Sequence, residues 1–328
     1  MLGVAGLRWR RLRRVATVTS EATARTVTAR SARRRGLLWR EHVDAYVFLA
    51  PWIMGFVAWT VGPMLASGLL AFMDYEILLP PVWSGLNNLS TMAKDPLFLT
   101  SLGNTAYYTF IAVPLQVAVA LFAAILLNQK LRGVSVHRTA FYLPALTPAV
   151  ANALVWLWIF NPQFGLANAG LRLLGLPALK WFMSPELAKP SMIIMSLWGT
   201  GGEMLIFLAG LQGIPELYYE AARVDGARTR EMVRHITIPL LSPSIFFNTV
   251  VGIIGSFQVF TTAFIATGGG PQNATLFYVL YLFRNGFQYF KMGYASALAW
   301  VLFAITLAFT LLQFRLGRFW VYYEAEAK

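Results

Sequence analysis

Side chains that commonly perform catalysis or bind metals are scarce in this 328-residue sequence. It contains no cysteine, which excludes thiolate chemistry, cysteine-ligated zinc and disulfides. The three histidines, His42, His137 and His235, stand far apart, so we expect no histidine-based metal or catalytic site. The glycine-rich segments 199–203 and 268–271 lack the lysine of a phosphate-binding loop. The sequence therefore predicts a protein that is not an enzyme and holds no metal.

The densest group of charged side chains lies in segment 214–239, where four acids and four bases cancel. The charged residues are Glu216, Glu220, Arg223, Asp225, Arg228, Arg230, Glu231 and Arg234. Apolar residues recur at helical spacing on both sides of Gly226. Gly226 can adopt the positive φ that ends a helix, Asp225 can cap the next helix, and Pro239 is expected to stop it. The pattern predicts two short helices joined at an angle, a knob suited to a cleft in another protein.

The rest of the chain is apolar enough to predict a membrane protein. Hydrophobic residues make up 57% of the chain and charged residues 12%, about half the usual share. A spanning helix needs about 20 mainly apolar residues, and backbone amides in lipid must be bonded within the helix. These requirements predict an all-α polytopic membrane protein with six transmembrane helices. The predicted spans are 45–73, 104–128, 139–161, 190–212, 243–267 and 292–314.

Basic residues are distributed unevenly between the two sides of the predicted spans. With the N-terminus inside, 21 lysines and arginines lie inside and 6 outside. By the positive-inside rule, this distribution predicts a multi-pass protein of the bacterial inner membrane with both termini cytoplasmic. A short apolar run, 275–283, is too short to cross and is predicted as an interfacial or re-entrant helix. If it did cross, the C-terminus would lie outside.

The predicted organisation has three parts. Residues 1–44 form a basic cytoplasmic tail with a net charge of +8. Its composition also fits an organelle transit peptide, but we favour a disordered arm held near anionic lipid. Residues 45–314 form the transmembrane domain, with a cytoplasmic loop at 213–242. Residues 315–328 form a cytoplasmic C-terminal tail.

The charged loop carries a recognisable motif. Glu220-Ala221-Ala222, followed by Gly226, Ile236 and Pro239 at fixed spacing, resembles the EAA loop of ABC-importer permeases. Ile238 stands where that motif usually has leucine. The longer string 207–227 is similar to the binding-protein-dependent sugar branch, the maltose- and glycerol-phosphate-type permeases. The resemblance extends over residues 40–328.

This resemblance implies a type I ABC-importer permease fold, in which one kind of subunit spans the membrane and another hydrolyses ATP. The chain would be the membrane-spanning subunit of an ATP-driven importer. The loop residues named above, together with Asp225, would dock in a cleft of an ATPase subunit. ATP and Mg would be bound by two separate ATPase subunits, because this chain has no phosphate-binding loop of its own. The other expected partners are a second permease, either a copy or a different, similar chain, and an external solute-binding protein that delivers a carbohydrate.

Polar side chains inside the spans are the candidates for the substrate path, because they are costly there unless they serve a function. Glu203 is the only acid in a predicted span. It is predicted either to bond a sugar hydroxyl or to form an interhelical bond or a salt bridge to a partner subunit. The other candidates are Asn152, Asn248, Gln258 and Phe260, with the last two as the preferred pair.

An ATP-independent secondary transporter or channel is the alternative function. That class usually shows inverted repeats and intramembrane charges that couple ions to transport. The sequence shows no obvious repeat, and Glu203 is the only such charge. An intramembrane enzyme would need a paired nucleophile and base or a metal cluster, and the spans contain neither.

Overall fold

The computed structural model describes residues 43–129 and 132–322. Apart from Val43 and Asp44, the predicted N-terminal tail lies outside the described residues, as does the end of the predicted C-terminal tail, 323–328. The chain divides into two compact units, Met1–Ala66 and Ser67–Lys328. The described part of the first unit is helical and belongs to α1 (Val43–Leu70), which contains a π-helical turn.

The described part of the second unit is helical apart from one small antiparallel hairpin, formed by β1 (Met73–Asp74) and β2 (Val82–Trp83). Its helices are α2 (Asn87–Lys94), α3 (Pro96–Leu127), α4 (Val134–Tyr142), α5 (Ala149–Ile159), α6 (Leu166–Leu173), α7 (Pro185–Leu197), α8 (Gly201–Gly213), α9 (Glu216–Val224), α10 (Thr229–Met232), α11 (Ile238–Leu240), α12 (Ser242–Phe257), α13 (Thr261–Ala266), α14 (Tyr278–Phe283) and α15 (Met292–Gly317). Shorter 3-10 turns cover Leu143–Leu146 and Trp181–Met183, and π-helical turns cover Val233–Thr237 and Arg284–Gln288.

Six segments of the described chain are candidates to span a membrane. Helices α1, α3 and α15 are each long and apolar enough to cross without interruption. Three bent pairs also qualify: Val134–Leu146 with α5 at 100°, α7 with α8 at 45°, and Thr229–Leu240 with α12 at 63°. The predicted all-α architecture is confirmed, and the predicted number of six is reached when each bent pair counts as one span.

The prediction of uninterrupted helices at 139–161, 190–212 and 243–267 is wrong. Before α5, Pro148 has an extended ψ of 140°, and a proline cannot supply the N–H that a continuing helix needs. Helix α7 ends at Leu197, and the chain bends before α8 begins at Gly201. Helix α12 ends before Gln258, and Phe260, with φ −137° and ψ −65°, lies outside the helical region.

The long helix α3 lies at the centre of the second unit, where it packs against α7, α8, α12 and α14. Small side chains on α3, including the fully buried Ala112, Ala120 and Ala124, let these neighbours approach closely. Where α12 meets α3, a Cβ added at Gly252 would lie 3.0 Å from Cγ1 of Val113. The arrangement leaves the middle of α3 in contact with helices that come much later in the sequence.

Asp95 joins three helices at the N-terminal end of α3. Its carboxylate caps α3 by accepting from the Leu97 N–H at 2.9 Å. The hydroxyls of Tyr281 and Tyr294 also donate to Asp95, the latter at 2.8 Å. Burial raises the pKa of Asp95, but these hydrogen bonds outweigh it and hold the pKa below its usual value. Burial and the bond to Asp95 raise the pKa of Tyr281 to about 12, so its hydroxyl remains a donor at neutral pH.

We expect Asp95→Asn to lower the thermal stability of the protein at neutral pH, by on the order of 1 kcal/mol, because the neutral amide is a weaker acceptor. The lowered folded-state pKa means that ionised Asp95 stabilises the fold above about pH 4. This stabilisation is lost as the pH falls through the folded-state pKa. Melting curves of both proteins at pH 7 and pH 3 test this, because the difference between them should shrink at pH 3. An equal difference at both pH values would contradict the role of the charge.

Candidate functional site

The charged segment forms two short helices joined by a turn, as predicted; we call residues 216–240 the elbow. Helix α9 ends in a Schellman motif, in which the Ala227 N–H donates to the Ala222 carbonyl at 2.9 Å and the Gly226 N–H donates to the Arg223 carbonyl at 3.1 Å. Gly226 has φ +80°, a conformation that residues with a Cβ rarely adopt. Tyr219 and Thr237 hydroxyls, 3.0 Å apart, connect the two arms of the elbow.

One predicted detail of the elbow is wrong. Asp225 does not cap the second arm, because it is the C-cap of α9, and the N-cap of α10 is Arg228. The backbone N–H of Arg228 donates to Glu231 Oε2 at 2.7 Å. The second arm ends beside Pro239, as predicted: α11 ends one residue later, at Leu240, and the chain bends by 63° before α12 begins at Ser242.

The outer surface of the elbow combines charged and apolar side chains. Leu217 is 71% exposed and Val224 is 88% exposed, although both are apolar. Glu220 and Ala221 are exposed beside them. Exposed apolar side chains bordered by polar ones mark surfaces that another protein covers. Of the other motif residues, Asp225, Gly226 and Pro239 are exposed, and Ala222 and Ile236 are half-buried.

The last described residues of the chain attach to the root of the elbow. The Ser242 hydroxyl donates to the Pro239 carbonyl at 2.6 Å and accepts from the Tyr322 N–H at 2.8 Å. The ring of Phe246 packs edge-on against Phe314 at 5.3 Å. The start of α12 and the end of α15 are thus joined where the elbow leaves the helical core. No sequence pattern pointed to this contact between residues 80 positions apart.

A cavity of about 560 Å³ lies between α3, α8 and α12. Two predicted path residues, Glu203 on α8 and Asn248 on α12, line it. Tyr108 and Gln116 on α3 also line it, and the sequence analysis missed both. Eight positions, about two helical turns, separate the two residues, and no amphipathic pattern in α3 marks them out. The cavity therefore brings together polar groups from three helices inside the apolar body.

Asn248 lines this cavity and has a side-chain amide nitrogen without a hydrogen-bond partner among the described residues. Its side chain is only 3% exposed. A buried amide nitrogen without a partner costs about 1–3 kcal/mol. Ser256, which also lines the cavity, differs because its hydroxyl already donates to Thr109 Oγ1 at 2.9 Å.

The other predicted path residues do not line this cavity. Asn152 lies on α5, and Gln258 and Phe260 lie at the break between α12 and α13. The Phe260 ring stacks on Phe264 at 5.4 Å and meets Phe283 at 5.0 Å. A part for Asn152, Gln258 and Phe260 in the substrate path stays a prediction. In the structure, Phe260 packs against other aromatic rings.

Within residues 43–129 and 132–322, no group of three or more His, Cys, Asp or Glu side chains could hold a metal ion. The polar groups of the cavity are amides, hydroxyls and one carboxylate, all of which can form hydrogen bonds with a solute. The described geometry thus offers two separable features, an exposed elbow and a cavity lined by both polar and apolar side chains.

Comparison with known proteins matches the part of the chain that contains both features to a transport family. Residues 116–321, which include the elbow and all the residues named in the cavity except Tyr108, match the family described as binding-protein-dependent transport system inner membrane component. The probable ABC transporter permease protein YesP of Bacillus subtilis is 42% identical over 88% of this chain and 94% of its own length. The arabinooligosaccharides transport system permease protein AraP of the same organism is 32% identical, over 86% and 91% respectively.

A solved structure has the same fold. A chain of a bacterial ABC transporter involved in the import of the acidic polysaccharide alginate superposes with a TM-score of 0.76. The aligned part covers 86% of this chain and 98% of that one, at 23% identity. The predicted permease fold is confirmed, and so is the resemblance stated from the EAA motif. The chain belongs to the family of binding-protein-dependent transport system inner membrane components, the permease subunits of ABC importers.

Proposed function

We propose that this permease subunit imports a carbohydrate, delivered by an external solute-binding protein, through the cavity between α3, α8 and α12. The polar lining of the cavity carries this proposal, because the amides of Gln116 and Asn248 can exchange hydrogen bonds with the hydroxyls of a sugar. The Glu203 carboxylate can accept from a hydroxyl of the same solute. Relatives named as arabinooligosaccharide and trehalose/maltose permeases support a saccharide as the solute.

The elbow is the proposed link to the source of energy. Its exposed apolar side chains, Leu217 and Val224, fit a cleft in a separate ATPase subunit that binds ATP and Mg. In this role, Glu220, Ala221, Ala222, Asp225, Gly226, Ile236 and Pro239 form the docking motif. Closure of two such ATPases would move the elbow as a rigid body and reorient the helices around the cavity.

The proposed complex contains this chain, a second permease that is a different but similar protein, two ATPases and the solute-binding protein. Its location would be the bacterial inner membrane with both termini cytoplasmic. The excess of basic residues on the side of the elbow supports this orientation. Because the chain has no cysteine, a single Arg228→Cys variant can be labelled without background. Labelling by an impermeant reagent from outside intact cells would contradict the orientation.

Purification of the complex from its native membrane tests the proposed function. We expect the solubilised chain to co-purify with an ATPase whose hydrolysis is stimulated by a saccharide-loaded binding protein. Uptake into proteoliposomes should require ATP and should persist when ion gradients are dissipated. Uptake that follows an ion gradient without ATP would instead identify a secondary transporter, and saccharide-independent ion flux would identify a channel.

We expect Asn248→Leu to reduce saccharide uptake at least about tenfold without lowering the thermal stability of the complex. Leucine has a similar size, and the Asn248 amide nitrogen has no partner among the described residues, so the fold loses no hydrogen bond. Uptake by proteoliposomes and melting curves of the purified complex give the two readouts. Asn248→Ser, which keeps a small donor, should retain more uptake. Lower stability together with unchanged uptake would show that Asn248 supports the fold and not the path.

A further inference from the structure

Glu203 is the one charged side chain among the described residues that line the cavity between α3, α8 and α12. The other polar side chains there, Tyr108, Gln116, Asn248 and Ser256, are neutral. No lysine, arginine or histidine of the described chain lines the cavity with them. The electrostatic character of the cavity therefore comes from one negative charge.

The carboxylate of Glu203 has no protein partner in the described part of the chain. It accepts no hydrogen bond and forms no ion pair there, although the residue is half-buried in an apolar body. Within the described part of the chain, Glu203 therefore does not form the predicted interhelical hydrogen bond. Its charge is tolerated because Glu203 lies in the first turn of α8, where the positive end of the helix dipole favours an acid.

A single uncompensated carboxylate in a cavity whose lining is mainly apolar has a direct effect on solute choice. Charges interact more strongly inside a protein than in water, because the surrounding dielectric is lower. A neutral saccharide can donate a hydroxyl to Glu203 and exchange hydrogen bonds with the neutral polar side chains of the lining. A saccharide that carries a carboxylate or a phosphate meets a like charge with no cation nearby to offset it, and such unpaired charges are a common means of rejecting a wrong ligand.

We propose that Glu203 makes the path selective for neutral saccharides and excludes anionic ones, such as uronates and sugar phosphates. The proposal rests on the proposed function, since it assigns the chemical class of the solute in the same cavity. Glu203 acts here as a specificity-determining residue that contacts the solute. We expect it to produce roughly a 10-fold to 100-fold preference for the neutral member of a matched pair.

Binding to the purified complex, without the solute-binding protein, isolates the selectivity of the cavity. The probes are the pairs glucose and glucuronate, galactose and galacturonate, and mannose and mannuronate, each differing only in whether C6 is a hydroxymethyl or a carboxylate. Dissociation constants are measured for wild type, Glu203→Gln, Glu203→Asp and the control Glu186→Gln. Glu186 is an exposed acid in the first turn of α7 and does not line the cavity.

The neutral isostere Glu203→Gln should bring the ratio of dissociation constants close to one, chiefly by improving binding of the acidic sugars about tenfold or more. Glu203→Asp, which keeps the charge, and Glu186→Gln should both keep the wild-type preference. If wild type and Glu203→Gln bound the sugars with the same ratio of dissociation constants, the proposed selectivity by charge would be overturned. The proposed carbohydrate function would not be affected by that result. Loss of the second permease from the Glu203→Gln complex would also overturn it, in favour of a salt bridge between subunits. If no saccharide bound to any of the four proteins, the carbohydrate function itself would fail.

Discussion

Replacing Gly226 with valine should reduce ATP-driven uptake at least about tenfold while the complex still assembles and hydrolyses ATP. Gly226 has φ +80°, and a Cβ added there would meet no atom within 4 Å. The effect of valine is therefore backbone strain rather than a clash, about 1–2 kcal/mol for a left-handed residue with a side chain. Releasing that strain means opening the Schellman turn, which sets the angle between the two arms of the elbow. The readout is solute transported per ATP hydrolysed in proteoliposomes.

Two controls separate the elbow's geometry from general strain. Gly226→Asn should retain most uptake, because asparagine adopts positive φ more readily than other residues with side chains. Gly133 has nearly the same backbone conformation, φ +79°, and also has open space around it, but lies at the start of α4. Gly133→Val should therefore leave transport per ATP close to wild type. If both valine variants uncoupled transport equally, or if Gly226→Val transported normally, the elbow would not be the transmitting element.

Replacing Gly201 with alanine should destabilise the protein by about 1–3 kcal/mol, the range for overpacked interiors. Gly201 is buried at the start of α8, and its added Cβ would lie 2.6 Å from the Phe141 carbonyl oxygen and 2.8 Å from the Tyr142 Cα. Both neighbours are backbone atoms of α4, so neither can turn away by changing rotamer. Helix α8 would have to move away from α4 and carry Glu203 with it. We therefore expect a fall of several degrees in the melting midpoint, together with weaker saccharide binding.

The adjacent glycine supplies a matched control for stability. A Cβ added at Gly202 would meet no atom within 4 Å, although Gly202 belongs to the same turn of α8. Gly202→Ala should leave the melting midpoint unchanged or raise it, because alanine favours the helix by up to about 1 kcal/mol over glycine. Melting curves of the three proteins in one detergent provide the comparison. Equal stability of Gly201→Ala and wild type would show that α4 and α8 are not in the close contact described.

The polar cluster around Asp95 shows why some of the architecture was beyond sequence analysis. Its partners Tyr281 and Tyr294 lie 186 and 199 residues away, and nothing local in either segment points to the other.

The residues that line the cavity were also not all predictable from the sequence. Gln258 and Phe260 were preferred for their family-like sequence, whereas Tyr108 and Gln116 on α3 line the cavity. Which side of an apolar helix faces its neighbours depends on tilt and rotation, and packing sets both.

Local physical requirements allowed several features to be predicted from the sequence alone. Lipid forces backbone amides into helices, so the apolar stretches predicted the all-α architecture and a number of spans that the described helices match. Gly226 predicted the turn in the elbow because few other residues accept its conformation. The EAA motif predicted the family, which the comparisons confirm.

Features that depend on several distant segments emerged only from the folded chain. The bends between paired helices, the attachment of Tyr322 to Ser242, and the meeting of Glu203 with Asn248 across one cavity are of this kind. Each arises where segments far apart in sequence pack together. An apolar helix carries little information about which neighbour it will contact, because nearly all its faces are equally compatible with lipid and with another apolar helix.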